Sequence, residues 1–552
     1  MHAFLSSGDF NVCKGFGPWQ TFIDGSLKLA AVGNIARKDL TSLSKAIAAH
    51  GHVVSHAVLR EWVASLSRNF SVIGRYGNIS FGAVDRISSS PLFIGSVGNT
   101  TEISNNAPYL EQKMQLKHAN ALDGKALISF LMAGYTIGQS TLNQHIKRLR
   151  AGEYVLVENG SYTVGRYHRY EPWKFENRSL EHNERLLSDT TLHIVEDMVA
   201  RSSGRQIAVP ISGGVDSRLI ASALRHIGAK NVVCFSYGRA NNFEGHVGKK
   251  VAERLNFPWH FVEITPKRQT EFFHSDSHVD YMRFADNLSS VPFKQDIVPI
   301  TNLLKKGVLA SDCLIVNGNT GDFISGGHIP KSFIEERPDG TSAKGQLIDN
   351  IIKKHLSLWP DRLTPEVKQQ LREIVSDELH SEGLLDICDD SLFAAFEFSE
   401  FTNRQSKYVI NGQRIYDYLG VDWELPLWHD RYLEFWQSVP LEHKIDQSLY
   451  KEMLHRRNWG GVWHDIPVNK KTITPSWIRP LRGGAKLAFA PFGRASWHRF
   501  EKRFLNYWTD VLANYAIYPY KHIAFSRANA RNSVAWHVVS YLDWKGIDYE
   551  IY

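Results

Sequence analysis

The 552-residue sequence predicts an α/β domain with a parallel sheet over residues 180–552, preceded by a β-rich α+β domain over residues 1–175. Short apolar segments separated by Gly, Asn and Asp fill the first part. From residue 207 onward, apolar strands alternate with helical patterns, which is typical of βαβ units in a parallel sheet. The length leaves room for two or three domains, each with a core of its own.

The first part contains four apolar segments that predict strands, at residues 27–32, 70–73, 79–84 and 154–157. Between them, two stretches have helical spacing, residues 40–49 and 140–149. The polar and aromatic stretch 166–186 is predicted to be a linker. An acidic helix around residues 180–199 is expected to open the second part.

In the second part, the apolar run 207–209 predicts a strand that leads through a tight loop into a helix ending near Ile227. Residues 231–237 and 259–264 predict two more strands, with a helix between them. Ligands of such sheets lie at the carboxyl ends of the strands, so we expect the functional site in the loops that follow them.

The composition is that of a soluble globular protein, with 43% hydrophobic and 22% charged residues. The formal net charge of +7 is not concentrated in one basic tract, which argues against nucleic-acid binding. Four widely spaced cysteines without a Cys-x-x-Cys pair predict a reducing cytoplasm, with neither a disulfide framework nor a zinc site: Cys13, Cys234, Cys313 and Cys388. No signal-peptide pattern opens the chain, and no apolar run approaches the roughly 20 residues of a membrane span.

The most specific motif follows the strand at 207–209 and reads Ser212, Gly213, Gly214, Val215, Asp216, Ser217. The two glycines let backbone N–H groups approach an anion, two serine hydroxyls add donors, and the following helix N-terminus favours negative charge. The motif is not a Walker A loop, because no Lys-Ser/Thr pair follows the glycines. A carboxylate beside phosphates is expected where Mg²⁺ bridges the two, which is the place of Asp216.

This loop resembles the pyrophosphate loop of the N-type ATP pyrophosphatases, as it occurs in the asparagine synthetase family. The resemblance implies an adenine nucleotide α-hydrolase-like (PP-loop) fold for the second part, with ATP and Mg²⁺ as cofactors. Tyr237 and Gly238, at the end of the next predicted strand, would then lie near the nucleotide. Asn242 and Glu244 are further candidates, and a solvated loop is the alternative.

A second Gly-rich loop follows the apolar strand at residue 314 and presents Asp322. It resembles the family's Ser-Gly-Glu-Gly-Ser-Asp-Glu segment, which implies that Asp322 pairs with Asp216 as a Mg²⁺ ligand. The alternative is an Asp that caps a helix. Two acids of the family motif are replaced here, by Asn319 and Phe323. They lie near the substrate and its amine in the family, so aspartate as the substrate is in doubt.

The stretch 448–457 resembles the family's Lys-x-x-Leu-Arg helix, and residues 466–471 follow where the family has Arg-x-Lys. The resemblance implies that Lys471 stabilises the charge that develops during adenylate formation, with Lys470 as the second choice and a surface lysine as the alternative. The basic, aromatic stretch 477–520 is expected to be a solvated face over an aromatic core. A surface for an anionic substrate or a membrane is the other interpretation.

Residues 84–93 resemble the Asp-Arg…Pro-Leu-Tyr segment of the class II glutaminase domain that precedes the synthetase domain, which implies an Ntn-hydrolase-like fold for residues 1–175. That glutaminase uses a cysteine directly after the initiator Met. Here His2 stands in that place, and Cys13 cannot supply a terminal amine without processing. We therefore expect the first part to be inactive in glutamine hydrolysis and to cap or shape the synthetase site.

These resemblances imply an AMP- and pyrophosphate-forming amide synthesis through an acyl-adenylate, by a carbon–nitrogen ligase. The nitrogen would be free ammonia, which another protein could deliver, or an amine on the substrate itself. The strings at 321–330 and 425–428 resemble family members of bacterial surface-polysaccharide clusters, which implies a uronic acid as the carboxylate, in O-antigen or polysaccharide biosynthesis.

Three alternatives stay open. The first is an intramolecular cyclase similar to β-lactam synthetase or the lasso-peptide cyclases, which also lack the cysteine. The second is asparagine synthesis from aspartate, and the third is a non-catalytic scaffold, against which the intact Asp216 and Asp322 argue. We expect neither a nucleic-acid partner nor a transmembrane segment, and a homodimer is compatible with the resemblance.

Overall fold

The computed structural model describes residues 17–33, 35–66, 69–116, 119–335, 342–468 and 472–550. The first part contains the strands β1 (Gln20–Asp24), β2 (Leu27–Gly33), β3 (Phe70–Tyr76), β4 (Ile79–Val84), β5 (Phe93–Val97), β6 (Thr100–Ser104), β7 (Ile146–Arg148), β8 (Glu153–Glu158) and β9 (Ser161–Arg166). In the spatial order β1-β2-β3-β4-β8-β9, six of them form an antiparallel sheet, and β6-β5-β7 form a second one. The four predicted strands are confirmed as β2, β3, β4 and β8.

Helices cover the outer faces of these two sheets. On one side, α1 (Arg37–Ala49) and α2 (His56–Ser65) bury Leu43, Val58 and Trp62 against the large sheet. The inner faces of the two sheets share a second core, and α3 (Ala107–Lys113) packs on the other side of the small sheet. The order helix–sheet–sheet–helix is that of the predicted β-rich α+β layers. The Ntn-hydrolase-like assignment stays a prediction.

The stretch 140–149 is not the helix that its spacing predicts. It forms turns and the short strand β7, and the Thr141 hydroxyl donates to the backbone oxygen of Ile146 at 2.9 Å. Its apolar side chains are buried in two different cores, Leu142 and Ile146 in one and Leu149 in another. The helical spacing therefore does not reflect a single apolar face.

The second part is built on a parallel sheet of β10 (Ile207–Pro210), β11 (Val232–Gly238), β12 (Trp259–Glu263), β13 (Leu314–Val316) and β14 (Asp422–Glu424). The spatial order is β12-β11-β10-β13-β14, and every pairing is parallel, as predicted. The chain moves outward from β10 in one direction and then returns to its other side with β13. Such a reversal leaves a crevice at the carboxyl ends of the two central strands, where open α/β sheets bind ligands.

Helices lie on both faces of this sheet. In chain order, the helices after α3 are α4 (Gly124–Ala133), α5 (Leu180–Ser202), α6 (Asp216–His226), α7 (Phe243–Arg254), α8 (Pro266–Phe273), α9 (Asp276–Ala285), α10 (Ile297–Lys305), α11 (Ala343–His355), α12 (Pro365–Ser381), α13 (Leu392–Glu400), α14 (Arg414–Leu419), α15 (Asp430–Gln437), α16 (Leu441–Lys444), α17 (Ser448–Arg457), α18 (Ile478–Ala488), α19 (Gly493–Phe500), α20 (Asn506–Thr509), α21 (Tyr520–Ala524) and α22 (Val534–Lys545). π-helical segments follow Asp322 (Phe323–Gly327) and α13 (Phe401–Val409). Within the described ranges, no helix is both long and apolar enough to cross a bilayer.

Side chains of β10 show how the two faces are filled. Ile207 and Val209 point to a core shared with α5, α6, α7, α15 and α17, whereas Ala208 points to a core shared with α9, α10 and α14. This alternation is the period of two expected of a strand. Because both faces are covered, only the ends of the strands are open to ligands.

The largest core joins the two parts of the chain. All residues of α4 from Ala126 to Ala133 are buried, and they pack with α3, α11, α12, α13 and α22 in one apolar cluster. The backbone N–H of Leu358 donates to the oxygen of Met132 at 2.9 Å, and the Phe130 and Tyr541 rings lie 5.2 Å apart. The apolar core is therefore continuous across the predicted boundary at 175–180, which stays a prediction.

Candidate active site

The loop between β10 and α6 is held in shape by its own serines. The backbone N–H of Ser212 donates to the Ser217 hydroxyl at 3.0 Å, and the two hydroxyl oxygens also lie 3.0 Å apart. Gly214 N–H donates to the Ser212 hydroxyl at 3.2 Å. Val215 ends the loop, and α6 begins at Asp216. The chain thus wraps around a small polar centre at a helix N-terminus, where an anion is favoured.

A carboxylate of α7, the helix that follows β11, accepts a hydrogen bond from this loop. Gly213 N–H donates to Glu244 Oε2 at 2.7 Å. Asn242, the other residue predicted in this region, instead caps α7 by accepting from Gly245 N–H at 2.8 Å. The structure therefore gives Glu244 a contact with the loop and gives Asn242 a local role in starting a helix.

The loop after β13 packs directly on the N-terminus of α6. A Cβ atom at Gly318 would lie 2.6 Å from Ser217 N, and one at Gly321 would lie 2.5 Å from Asp216 Oδ1. Between them, Thr320 has a φ of 88°, a left-handed conformation that is costly for a β-branched residue. Close approach of the two loops therefore requires glycine at both positions and fixes a strained residue between them.

Asp216 and Asp322 meet at the crevice between β10 and β13. Asp322 N–H donates to Asp216 Oδ2 at 3.0 Å, and the Tyr450 hydroxyl donates to Asp216 Oδ1 at 3.0 Å. Burial and the nearby Asp322 charge raise the pKa of Asp216 to about 7. Two carboxylates held this close repel each other, and a bound cation would relieve that repulsion.

The donor set fits Mg²⁺. In the described part of the chain, no group of three or more His, Cys, Asp or Glu side chains is arranged for a metal. Mg²⁺ is usually held by one or two carboxylates, with substrate phosphates and water completing its shell, so Asp216 and Asp322 beside an anion-binding loop match that use. Both side chains have surface open to the cleft, 54% of it for Asp322.

Tyr237 and Gly238 lie at the carboxyl end of β11, as predicted, but the tyrosine hydroxyl is engaged. It donates to Asp296, which also accepts from the Tyr416 hydroxyl at 2.6 Å. Burial and the Asp296 charge hold the pKa of Tyr237 well above its usual value. Gly238 has a φ of 132° and approaches Val511 of the C-terminal stretch. The Tyr237 ring nevertheless lines the cleft beside the loop between β10 and α6, which is called the phosphate loop below for the resemblance of its sequence.

Three adjoining cavities form the cleft. A cavity of about 420 Å³ is bounded by the phosphate loop, the loop after β13 and Arg404. On one side it shares Ser212 and Tyr237 with a larger cavity of about 1080 Å³. On the other side it shares Arg404 and Tyr408 with a smaller cavity of about 240 Å³. Volumes of this order are typical of small-molecule sites.

The C-terminal stretch forms a wall of the larger cavity. Arg482, His498 and Glu501 line it opposite Phe243 and the phosphate loop. Arg482 is held by Glu501, with its Nε at 2.5 Å from Glu501 Oε1. The stretch is therefore more than a solvated face, because part of its polar side points into the cleft.

The smaller cavity, here called the cationic cavity, is lined by basic side chains from distant segments. They are His328, Lys354, His355, Arg404 and Arg531. The apolar and aromatic remainder includes Ala133 and Tyr135, at the end of α4, so the first part of the chain contributes to this wall. No sequence motif signals this cavity, since its basic side chains come from four separate places along the chain.

A buried carboxylate organises one side of the cationic cavity. Glu400 accepts from His328 Nδ1 at 2.6 Å and from Arg404 at 3.2 Å, and His355 Nε2 lies 3.1 Å from it. His328 Nε2 in turn lies 3.1 Å from Asp322 Oδ2. Burial lowers the pKa of His328, but the Glu400 and Asp322 carboxylates outweigh it and raise that pKa to about 9. His328 is therefore a cation at neutral pH, and it orients Asp322.

The two residues that replace acids of the family motif differ in their surroundings. Asn319 lines the cavity of about 420 Å³, where its backbone N–H donates to Asn317 Oδ1 at 3.0 Å. Phe323 is fully buried, and its ring lies 6.4 Å from that of Trp428. The change at 319 therefore alters the cleft, whereas the change at 323 belongs to the core.

Four predicted residues lie outside the described residues: His2, Cys13, Lys470 and Lys471. The role of Lys471 stays a prediction, and the described chain resumes at Thr472, which lines the larger cavity. The structure brings together Ser212, Asp216, Ser217 and Asp322, as the two motifs predict. It adds Tyr450, which the sequence placed only on a helix.

Comparison with curated proteins gives no match. Residues 191–457 match the model of the family described as asparagine synthase. This segment begins within α5 and ends with α17, so it holds the whole parallel sheet, both glycine-rich loops and Tyr450. Over just under half of the chain, the protein is therefore similar to the asparagine synthase family, which is a family of carbon–nitrogen ligases.

Proposed function

We propose that the chain joins a carboxylate and an amine into an amide at the expense of ATP, through an acyl-adenylate. One observation carries this proposal: Asp216 and Asp322 face each other across the crevice beside a loop that is shaped to bind phosphate. The match of this segment to the asparagine synthase family supports the same chemistry.

The chemistry has two steps. A carboxylate oxygen of the acceptor attacks the α-phosphorus of ATP, and the bond to the β-phosphate oxygen breaks, so that pyrophosphate leaves. An amine nitrogen then attacks the acyl carbon, and the bond between that carbon and the oxygen shared with the α-phosphate breaks. AMP leaves with this oxygen, which came from the carboxylate, and the nitrogen loses a proton. In this proposal the backbone N–H groups of residues 213–215 and the hydroxyls of Ser212 and Ser217 hold pyrophosphate. Gly213 N–H would then exchange its bond to Glu244, and Gly214 N–H its bond to the Ser212 hydroxyl.

Mg²⁺ would be held by Asp216 and Asp322, and when bound it neutralises phosphate charge. Tyr450 fixes Asp216 by donating to one oxygen, and His328 fixes Asp322 in the same way. Tyr237 and Gly238 border the larger cavity, where we place the adenosine. Lys471 remains our choice for the cation that stabilises charge developing on the adenylate and pyrophosphate.

The acceptor we propose is a uronic acid, in the biosynthesis of O-antigen or another polysaccharide. The cationic cavity supports a carboxylate acceptor, because it adjoins the phosphate loop through Arg404. The nitrogen is ammonia or an amine on the substrate. A carboxamide at Asn319 in place of the family's acid leaves no carboxylate there to take the proton from the amine.

A second candidate is an intramolecular cyclase, in which the amine belongs to the acceptor itself. Asn319 is compatible with this candidate as well. It replaces an acid that lies near the substrate and its amine in the family, which argues against aspartate as the substrate. The two candidates differ in one measurable property, which is whether added ammonium enters the product.

The test measures products from ATP, Mg²⁺ and a panel of uronic acids, with and without ammonium. We expect AMP and pyrophosphate in equal amounts, and we expect Asp216→Asn to abolish their release. Formation of ADP and phosphate instead would overturn the mechanism. Unchanged pyrophosphate release by Asp216→Asn would remove that residue from the site. Incorporation of ¹⁵N from ammonium separates amidation from cyclisation.

A further inference from the structure

The cationic cavity holds more positive charge than a single carboxylate needs. Lys354, Arg404 and Arg531 line it together with the side chain of His328. Arg404 and His328 share the buried Glu400 behind them. In the described part of the chain, neither Lys354 nor Arg531 has a carboxylate within ion-pair distance.

Arg531 is fixed in this position by the end of α11. Its guanidinium donates to the oxygen of Lys354 at 2.7 Å and to the Ser357 hydroxyl at 3.0 Å, and its N–H donates to Leu358 O at 2.7 Å. Burial and the neighbouring Arg404 charge lower the pKa of Arg531. Arg404 has Glu400 as its counter-ion, whereas Arg531 has no carboxylate within ion-pair distance among the described residues, so Arg531 is the guanidinium that can bind an anion.

The position of these groups along the cleft separates two anionic subsites. Arg404 lies on the wall shared with the phosphate-loop cavity, which is where the reacting carboxylate must be. Lys354 and Arg531 line only the far cavity. A carboxylate at Arg404 would therefore leave the charges of Lys354 and Arg531 without a partner.

We propose that the cationic cavity binds the acceptor and that the acceptor carries a second oxyanion, held by Lys354 and Arg531, beside the carboxylate that is activated. This inference rests on the proposed function. The second group is a phosphate or another carboxylate, and both present oxygens that a guanidinium and an ammonium bind. The substrate class is thus a dianionic sugar acid or a compound of similar charge.

The test compares three probes in the pyrophosphate-release assay: D-glucuronate, D-glucarate and D-glucuronate 1-phosphate. We expect a KM at least about tenfold lower for one or both dianions than for glucuronate. The better dianion distinguishes carboxylate from phosphate. If neither dianion has a lower KM than glucuronate, the inference is overturned.

A matched pair of variants locates the effect. Lys354→Gln should raise the KM for the preferred dianion about tenfold while leaving the KM for ATP and for glucuronate within twofold. Lys353→Gln makes the same change of charge at the neighbouring, exposed position of α11 and should change neither. The Lys354 ammonium has no ion-pair partner in the described structure, so Lys354→Gln should fold normally. Equal effects of the two variants would contradict the subsite.

Calorimetric titration with D-glucuronate 1-phosphate separates this inference from the proposed function. One outcome is that the protein binds this compound, that Lys354→Gln weakens the binding, and that ATP releases no pyrophosphate with any acceptor. This outcome would overturn the function and keep the subsite. If ATP releases pyrophosphate with glucuronate as the acceptor but with neither dianion, and if Lys354→Gln does not change the KM for glucuronate or the binding of D-glucuronate 1-phosphate, the function is kept and the subsite is overturned.

A different surface carries a second inference. At the end of the chain, α18 and the turn after it expose four large apolar side chains, Trp477, Leu481, Leu487 and Phe492, with 55%, 63%, 78% and 71% of their surfaces accessible. We call this set the apolar face. At 100° per residue, Trp477, Leu481 and Leu487 fall within an arc of about 120° on one side of the helix.

Exposed cations lie on α18 and after it, namely Arg479, Lys486, Arg494, Arg499 and Lys502. At 100° per residue, Arg479 and Lys486 fall on the side of α18 away from the apolar face. The one acid within residues 477–502 is Glu501, which is paired with Arg482 on the opposite, cleft-lining side. A second copy of the same surface would bring like charges together across a two-fold axis. The surface instead complements an anionic partner that also has an apolar interior.

We infer that the apolar face lies on an anionic lipid bilayer. Large apolar side chains in one arc and Lys/Arg residues on the polar side are the features by which an amphipathic helix lies in a membrane interface. This placement needs no transmembrane segment. The other side of α18 contributes Arg482 to the wall of the larger cavity, so the cleft would be held near the bilayer.

The test is co-sedimentation of the full chain with vesicles of phosphatidylcholine alone or with 30% phosphatidylglycerol. We expect binding to the anionic vesicles, at least tenfold weaker binding to neutral ones, and loss of binding in 0.5 M NaCl. Leu487→Ser with Phe492→Ser should weaken it at least tenfold. Ile23→Ser, at an exposed apolar residue of β1, is the control and should not. No preference for anionic vesicles would overturn the inference, as would dimers that the double variant dissociates.

Discussion

At the scale of single residues, the site depends on side chains that are absent as much as on those present. Gly318 and Gly321 leave the space through which Ser217 and Asp216 approach the second loop. The sequence shows glycines in a loop, which is a common pattern. Only the structure shows that their missing Cβ atoms face Ser217 and Asp216, so the requirement for glycine belongs to the candidate site and not to the turn.

Gly318→Ala should therefore disable the site. The new Cβ would lie 2.6 Å from Ser217 N, so the two loops must separate, at a cost of about 1–3 kcal/mol. We expect pyrophosphate release to fall at least about 100-fold, because misplacement by an ångström costs that much in catalysis. Gly483→Ala, in open space on α18, should leave turnover unchanged. Normal turnover by Gly318→Ala would show that the loops are less closely packed.

Lys294 is the basis of a prediction on pH. It is buried, its Nζ has no hydrogen-bond partner in the described structure, and burial lowers its pKa to about 7 from 10.5. Between these two values the unfolded state binds more protons than the folded state, so the free energy of unfolding rises with pH in this window. The destabilising contribution of Lys294 is therefore complete below pH 7 and disappears towards pH 10.5.

Lys294→Met should remove this contribution. We expect the variant to be more stable at pH 6 by on the order of 2 kcal/mol, with a smaller gain at pH 9.5. Urea denaturation at the two pH values measures the difference. Lys306→Met, at an exposed lysine after α10, should show no such change with pH. A gain of equal size at both pH values would contradict the prediction.

At the scale of elements, local sequence patterns predict those segments correctly whose pattern belongs to a single motif. The helix Ser448–Arg457 was predicted with its observed bounds, and the strand–loop–helix around Asp216 is as predicted. Residues 140–149 failed because their apolar spacing serves two cores. The cationic cavity could not be predicted, since Lys354, Arg404 and Arg531 meet only in the folded chain.

Tyr450 shows what an element contributes to a site on another one. Its hydroxyl, on α17, donates to Asp216 at the start of α6. Tyr450→Phe keeps the ring and removes this bond, so we expect pyrophosphate release to fall about five- to tenfold. Tyr541→Phe removes a similar bond, to Asp286 at 2.6 Å, far from the cleft. It should lower stability without changing turnover, and equal loss of turnover in the two variants would contradict a role for Tyr450.

At the scale of the whole molecule, one core and one charge cluster join the two parts. Glu382, at the end of α12, is 3% exposed and binds Arg150, Arg166 and Arg169 of the first part. Together with the apolar cluster around α4, this predicts that both parts unfold in a single transition. Calorimetry should show one peak, and hydrogen exchange of β3 and β11 should be lost together.

Glu382→Gln tests the same coupling. It takes the Glu382 carboxylate away from three guanidinium groups, of which Arg166 keeps Glu153 at 3.1 Å, so we expect the whole chain to lose about 3 kcal/mol of stability. Both parts should respond equally. Glu373→Gln, at an exposed position of α12, should have little effect. Two calorimetric peaks, or destabilisation of the first part alone, would show that the parts fold separately.

The continuous core also bears on inheritance. A segment without an activity of its own is usually free to decay or to be deleted. Here α4 supplies the interior of the neighbouring domain, and Ala133 and Tyr135 help to form the wall of the cationic cavity. Purifying selection on folding, and on the cavity that we propose for the acceptor, is therefore enough to preserve this part of the gene, whether or not it has an activity of its own.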